Sequence, residues 1–136
     1  MAQGILDTIG NTPLIRLETL GKGQVYGKAE FLNPGGSIKD RVAKEMIEAA
    51  EREGRLKPGA TIIEATSGNT GIGLAFVGAR RGYRVILVMP ENMSEERKKV
   101  IAAFGGECVR TPAEESLDGA LKKVYELHET IPGSWV

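Results

Sequence analysis

Strand and helix patterns alternate three times in the second half of this chain. Each unit pairs a short β-branched or apolar run with a helix pattern. Strands are expected at 61–65, 83–89 and 107–110. Helices are expected at 72–81, from Ser94 to the Gly105-Gly106 pair, and at about 114–129. Successive strand–helix units form a parallel sheet that carries helices on both faces. The alternation therefore predicts a three-layer α/β fold, preceded by a pair of strands at 14–17 and 24–31 that Gly21 and Gly23 separate.

Composition and charge exclude several classes of protein. The 136 residues are 41% hydrophobic and 26% charged, with 18 basic and 18 acidic side chains and a net charge of zero. These values are ordinary for a globular domain and argue against a broad nucleic-acid-binding surface. No apolar run approaches the roughly 18 residues that a membrane span needs, and the first ten residues lack the basic region of a secretory signal. A cytoplasmic protein without nucleic-acid or membrane partners fits these features.

The single cysteine and the single histidine indicate packing rather than chemistry. Cys108 lies in an expected strand, where we interpret it as a buried packing residue without a partner for an internal disulfide. His128 falls at the end of the last expected helix, where histidines commonly complement the helix C-terminus. Because the chain has no cysteine–histidine cluster, no transition-metal site is expected.

A glycine turn precedes Lys39. The run Pro34-Gly35-Gly36 cannot extend a helix. Ser37 is therefore expected to cap a helix that runs to about residue 53, with Asp40 as the acidic partner of a capping box. Lys39 then lies in the first turn and faces the positive end of the helix macrodipole, a field that favours the neutral, nucleophilic amine. Most lysines at such positions are merely solvated, so position alone does not assign a function.

The strand at 61–65 ends in a turn that is rich in hydroxyl groups and glycine, Thr66-Ser67-Gly68-Asn69-Thr70-Gly71. The N-terminus of a helix presents free N–H groups that bind anions, and these side chains add further donors. A carboxylate or a phosphate would suit the turn, although a plain capped loop is an equal alternative. No Walker A motif is present, and the dinucleotide fingerprint occurs only with reversed spacing, as Gly68-x-x-Gly71-x-Gly73. Glu91 lies about 20 residues further on, where a ribose-binding acid would lie, so a nucleotide-binding module stays open as an alternative.

Four motifs together resemble those of a known family. An amine and an anion-binding turn are what a pyridoxal phosphate enzyme needs for an amino-acid substrate. The four motifs are similar to those of the cysteine synthases (O-acetylserine sulfhydrylases), fold-type II pyridoxal phosphate enzymes related to cystathionine β-synthase: 9–14, 33–41, 64–71 and 89–94. The match spans essentially the whole chain and keeps the order of the motifs.

The resemblance implies a role for each site residue. Lys39 would form the Schiff base with pyridoxal 5'-phosphate and move the α-proton, and Asn69 would hydrogen-bond the ring oxygen of the cofactor. The substrate carboxylate would bind the turn, at Thr66, Ser67, Gly68 and Thr70. The implied reaction is β-replacement by a transferase of cysteine biosynthesis, in which O-acetylserine and sulfide give cysteine and acetate. A homo-oligomer, most simply a dimer, is also expected.

The resemblance also implies a division of the chain. Family members are much longer, and their glycine-rich phosphate cradle lies beyond the position of Val136. Residues 1–35 are then expected to belong to an incomplete large domain, and residues 36–136 to form a Rossmann-like small domain. The run 134–136 resembles the start of another strand, with a terminal tail that packs its tryptophan as the alternative. A truncated form with little activity alone is expected, and a non-catalytic fragment that docks on a partner is a further alternative.

Overall fold

The computed structural model describes residues 4–18, 23–66 and 68–136. Gly21 lies outside the described residues. Within them, five strands and four α-helices follow one another: β1 Leu14–Arg16, β2 Tyr26–Lys28, α1 Lys39–Arg52, β3 Thr61–Ala65, α2 Asn69–Arg80, β4 Arg84–Pro90, α3 Glu95–Ala103, β5 Glu107–Thr111 and α4 Ser116–Thr130. None of the described helices is long and apolar enough to cross a membrane.

The strands form two separate sheets. β3, β4 and β5 lie side by side in that order and are parallel, with Ile63 opposite Ile86 and Val88 opposite Val109. β1 and β2 form an antiparallel pair in which Ile15 faces Gly27. Helices cover both faces of the parallel sheet. The predicted α/β fold class is confirmed, including the N-terminal strand pair.

Alternation along the strands divides the core into two layers. Because successive strand residues point to opposite faces, Ile62 packs on one face of the sheet and Ile63 on the other. The first layer joins the sheet to α1, α2 and α3 through residues that include Ala43, Ile47, Leu74, Leu87 and Ile101. The second joins it to α4 through Ile86, Val88, Ala120 and Val124. Each fully buried aliphatic side chain contributes about 1.5–3 kcal/mol, so α1 is held firmly against α2, and α2 against β4.

The start of α1 differs from the predicted capping box. Ile38, rather than Ser37, is the N-cap residue, and no side chain caps it. The Ser37 hydroxyl accepts a hydrogen bond from the Lys39 N–H at 3.1 Å. The Asp40 carboxylate reaches further back and accepts the Gly35 N–H at 2.5 Å. The capping-box prediction was therefore wrong, because the turn at Gly36, with φ of 87°, brings the Gly35 N–H to Asp40.

α2 begins three residues earlier than predicted, at Asn69, with Gly68 as its N-cap residue in an extended conformation. The Gly68 carbonyl accepts the Gly71 N–H at 3.1 Å, which closes the first turn. Asn69 and Thr70 therefore lie inside the helix. The N-cap prediction for α3 is confirmed, since the Ser94 hydroxyl accepts the Arg97 N–H at 3.5 Å.

The segment after α4 pairs with β3. The Trp135 N–H donates to the Thr61 carbonyl at 2.8 Å, and the Ile63 N–H donates to the Trp135 carbonyl at 2.9 Å, in a parallel bridge. The indole also packs on the first core layer. The segment thus forms a single bridge to β3, as the start of a strand would, and it also packs its tryptophan on the core. His128 fixes the segment, because its Nδ1 lies 2.8 Å from the Ser134 hydroxyl.

Candidate active site

The first turns of α1 and α2 lie against each other. A Cβ built on Gly73 would lie 2.9 Å from the Lys39 carbonyl oxygen and 3.1 Å from the Ala43 Cβ. Gly73 is four residues, about one helical turn, after Asn69. The helix that begins with Lys39 and the helix that begins with Asn69 are therefore in close contact near their N-termini, at the edge of the sheet where β3 ends.

Lys39 is half-buried at this junction. Its amine makes no hydrogen bond or ion pair with any residue in the part of the chain that the structure describes. Lys44 and Lys98, by comparison, donate to the Leu6 carbonyl at 3.2 Å and to the Glu91 carbonyl at 3.0 Å. A partly desolvated amine without an internal partner is available for a ligand.

The turn after β3 presents donors at the same edge. Thr66 continues the ladder through its N–H, which donates to the Val88 carbonyl at 3.2 Å, and its hydroxyl accepts the Gly68 N–H at 3.4 Å. Asn69 is exposed and Thr70 half-buried in the first turn of α2, where backbone N–H groups lack intrahelical partners. The structure thus brings Thr66, Gly68, Asn69 and Thr70 together. Ser67, the remaining predicted site residue, lies outside the described residues.

A cavity of about 340 Å³ opens beside this turn. It is lined by Thr66 and by residues that follow β4 and β5, among them Asn92, Met93 and Ser116. In parallel α/β sheets, ligands bind outside the carboxyl ends of the strands. A larger apolar cavity of about 640 Å³ lies on the outer side of α1 beside Trp135. Lys39 lines neither cavity, but Thr66 of the turn lines only the smaller one. We therefore place the candidate site at the smaller cavity and the adjoining helix starts.

Two of the three glycines in the reversed fingerprint serve internal packing. A Cβ on Gly71 would lie 2.9 Å from the Thr66 Cγ2 and 3.0 Å from the Leu87 Cδ1, and Gly73 contacts α1 as described. A Cβ on Gly68 would meet nothing within 4 Å among the described residues. Only Gly68 is thus open toward a ligand. This arrangement gives little support to the nucleotide-binding alternative, which needs close approach of a pyrophosphate at more than one glycine.

An ion pair between Arg41 and Glu30 lies near Lys39 and has no local signal in the sequence. Arg41 binds Glu30 with two parallel hydrogen bonds, Nε to Oε2 and Nη2 to Oε1, both at 2.9 Å. The Arg41 guanidinium lowers the pKa of Glu30 to about 2. Asp40 is fully buried, and burial raises its pKa. Its Oδ1 finds no hydrogen-bond partner among the described residues. Arg41 follows Lys39 by two residues, but nothing in the sequence indicates that it pairs with Glu30.

Cys108 and His128 stay outside the candidate site. Cys108 is half-buried and packs on the first core layer, and burial raises the pKa of its thiol. This fits the packing role expected for it. Among the described residues, no group of three or more histidine, cysteine, aspartate or glutamate side chains could hold a metal ion.

The residues present fit part of a pyridoxal phosphate site. The amine of Lys39, which has no partner among the described residues, suits the aldehyde of the cofactor, and the exposed Asn69 amide can donate to a ring oxygen. The hydroxyl groups and open N–H groups of the turn suit a carboxylate. The fit thus covers the reactive end of the cofactor and the amino-acid substrate.

Comparison with known proteins identifies the family. The sequence pattern of the family described as "Pyridoxal-phosphate dependent enzyme" matches residues 5–136. The chain therefore belongs to the pyridoxal-phosphate dependent enzyme family. Membership confirms the cofactor prediction at the level of the family.

Individual relatives indicate which members of this family the chain is similar to. The chain is 54% identical to the cysteine synthase of a Flavobacterium species, over 98% of this chain and 44% of the relative. It is 56% identical to the probable cysteine synthase of Bacillus subtilis, over 96% of this chain and 43% of the relative. A hydrogen sulfide-producing enzyme from Fusobacterium nucleatum superposes with a TM-score of 0.95 at 42% identity, covering all of this chain and 45% of that structure.

These comparisons confirm the resemblance to cysteine synthases and the likeness to pyridoxal phosphate enzymes. The chain spans less than half the length of these relatives. The division at residue 35, the roles of the individual site residues, the oligomeric state and the cytoplasmic location stay predictions.

Proposed function

We propose that this chain supplies the reactive lysine and the substrate-carboxylate turn of a pyridoxal phosphate enzyme of the cysteine synthase type. The proposed reaction converts O-acetylserine and sulfide to cysteine and acetate. The observation that carries the proposal is that Lys39 combines a half-buried amine, which has no partner among the described residues, with a backbone that contacts the helix starting at Asn69. The relatives named cysteine synthase support the choice of substrates.

Pyridoxal phosphate, when bound, withdraws electrons from the α-carbon of an amino acid and so makes its α-proton acidic. Lys39 would hold the cofactor through its amine and would accept the α-proton of the substrate at Nζ. Asn69 would donate its side-chain amide to the ring oxygen of the cofactor.

The turn at the start of α2 holds the amino acid by its carboxylate. Thr66, Thr70 and the free N–H groups of the first helical turn are the proposed donors, and the macrodipole of α2 adds to their attraction for an anion. Carboxylate binding there orients the α-carbon toward Lys39, because the two helix starts are in contact. Ser67 and Gly68 complete the turn in this proposal.

Labelling of a single lysine tests the proposal. The full-length protein is incubated with pyridoxal phosphate, reduced with borohydride and digested, and the labelled peptide is identified by mass spectrometry. We expect the label on Lys39, and we expect Lys39→Ala to lose both the label and the turnover of O-acetylserine. Lys57→Ala is the matched control, because Lys57 is exposed and lies in the loop before β3. Its label and turnover should match those of the wild type.

Label that persists in Lys39→Ala at the level of the control would contradict the role of Lys39. We expect little turnover from residues 1–136 alone, because the resemblance places the phosphate cradle elsewhere. Each lost hydrogen bond to a charged group weakens binding by about 1.5–3 kcal/mol. Binding of a dinucleotide without any label on Lys39 would instead favour the nucleotide-binding alternative.

A further inference from the structure

Glu30 is the centre of a closed polar network in front of α1. Its Oε1 accepts hydrogen bonds from Thr12 Oγ1 at 2.8 Å and from Arg41 Nη2 at 2.9 Å. Its Oε2 accepts from Arg41 Nε and from Asn33 Nδ2, both at 2.9 Å. Arg41 Nη2 also donates to Thr12 Oγ1 at 3.1 Å, which closes the ring. Both carboxylate oxygens are thus fully used, in the geometry that gives the strongest ion pairs.

The network joins segments that are far apart in the chain. Asn33 Oδ1 accepts the Gly10 N–H at 2.8 Å, so the network also holds the turn at residue 10. A Cβ on Gly10 would lie 2.9 Å from Arg41 Nη1, and the φ of 93° at Gly10 disfavours any other residue there. Thr12 is 6% exposed and Asn33 is 3% exposed. Water therefore has little access to the Thr12 and Asn33 ends of the network, while the Arg41 side chain is 37% exposed.

The two ends of this network bracket Lys39. Asn33 starts the loop that leads into α1, and Arg41 lies two residues after the lysine on the helix itself. Between these anchors, the Asp40 carboxylate holds the Gly35 N–H. The backbone from 33 to 41 is therefore fixed at both ends and once in the middle, with Lys39 inside the fixed segment.

We propose that Glu30 is a positioning residue for Lys39: it holds Asn33 and Arg41 so that the first turn of α1, which carries Lys39, keeps its place against α2. The proposal rests on the proposed function, in which Lys39 bonds to the cofactor. Glu30 itself touches neither substrate nor cofactor in this arrangement. A positioning residue should affect the reactivity of Lys39 in molecules that remain folded.

The test measures that reactivity for each folded molecule. The rate of cofactor attachment to Lys39 is followed by visible absorbance in the full-length protein, with the site confirmed by borohydride labelling, and is divided by the folded fraction from circular dichroism. Glu30→Gln keeps the size of the side chain and removes its charge. We expect it to slow attachment about tenfold, the effect of losing one charge-assisted hydrogen bond.

Glu45→Gln is the matched control on the same helix. It removes an exposed ion pair, Arg52 Nη2 to Glu45 Oε1 at 2.6 Å, without touching the loop before Lys39. Its rate should equal that of the wild type, since exposed ion pairs contribute little. Thr12→Val is a milder probe that removes one donor to Glu30. It should slow attachment in the same direction by a smaller factor, and it carries the test if Glu30→Gln fails to fold.

The outcomes separate the two proposals. If the wild type does not attach the cofactor at Lys39, the proposed function fails and this inference falls with it. If the wild type attaches it and the Glu30 and Thr12 variants match its rate per folded molecule, only the positioning role is overturned. A variant that merely lowers the folded fraction would show Glu30 to be structural, which also overturns the inference.

Discussion

Replacing Gly73 with alanine should disturb Lys39 more than it disturbs stability. The new Cβ would lie 2.9 Å from the Lys39 carbonyl oxygen, 3.2 Å from the Lys39 carbonyl carbon and 3.1 Å from the Ala43 Cβ. Non-bonded atoms prefer separations of about 3.5 Å or more, so the first turn of α1 must move by roughly half an ångström. The closest neighbour is backbone, which cannot rotate away as the end of a side chain can.

Two opposing terms set the change in stability. Overpacking a core costs about 1–3 kcal/mol, while alanine favours a helix interior over glycine by about 1 kcal/mol. Gly73→Ala should therefore lower the free energy of unfolding by only about 0–2 kcal/mol. The reactivity of Lys39 should fall more steeply. A misplacement of about 1 Å can cost on the order of 100-fold in rate, so half that distance corresponds to about tenfold.

Gly78→Ala is the matched control, because it makes the same change on the same helix. A Cβ there would lie 2.5 Å from the Val85 Cγ2, in the core and away from α1. Urea denaturation gives the stability of both variants, and visible absorbance gives the rate of cofactor attachment per folded molecule. Gly78→Ala should lose stability and keep the wild-type rate. Equal rates in the wild type and in Gly73→Ala would refute the reasoning that this contact fixes Lys39.

Two further predictions concern the carboxylate turn and pH. Thr70→Ala in the full-length protein should weaken amino-acid binding while cofactor affinity changes less, and Thr70→Ser, which keeps the hydroxyl, should restore amino-acid binding. Isothermal titration with the amino acid and with the cofactor measures both affinities. A loss of cofactor affinity with unchanged amino-acid affinity would point to a phosphate site. The pKa of Glu30 lies at about 2 in the folded chain against 4.5 as its ordinary value. A lowered pKa stabilises the fold above pH 4.5, and this contribution is lost as the pH falls toward 2. Unfolding of the wild type should therefore become easier over that range, and Glu30→Gln should show a flatter pH dependence; parallel curves would contradict this assignment.

The fold was predictable because its signals are local. The runs at 61–65 and 83–89 combine β-branched residues with short length, and Ser94 with the acids after it marks a helix start by its own chemistry. The start of α2 was missed because asparagine, threonine and glycine all favour turns over helix interiors. Contact with α1 at Gly73, which no local pattern reveals, holds these residues at the helix start.

The candidate site was predictable only in part. The motifs located Lys39 and the turn after β3, because each lies next to a local structural signal. Two partners of Glu30, Thr12 and Arg41, lie 18 residues before it and 11 residues after it, and no periodicity in the sequence connects them. The usual capping-box spacing pairs Asp40 with Ser37, but the loop conformation at Gly36 makes the Gly35 N–H its partner instead.

Two different kinds of force hold the first turn of α1. On one side it packs on α2 through close contacts at Gly73, which do not depend on charge. On the other side the N-terminal segment binds it through the Glu30 network, while large apolar side chains of that segment, such as Leu14 at 62% and Phe31 at 68%, remain exposed. Leu6 and Ile9 of the same segment pack on the first core layer, so the segment is attached to α1 by polar bonds together with a small apolar contact. Acid weakens only the polar attachment. On acidification, Lys39 should therefore lose reactivity before the chain unfolds.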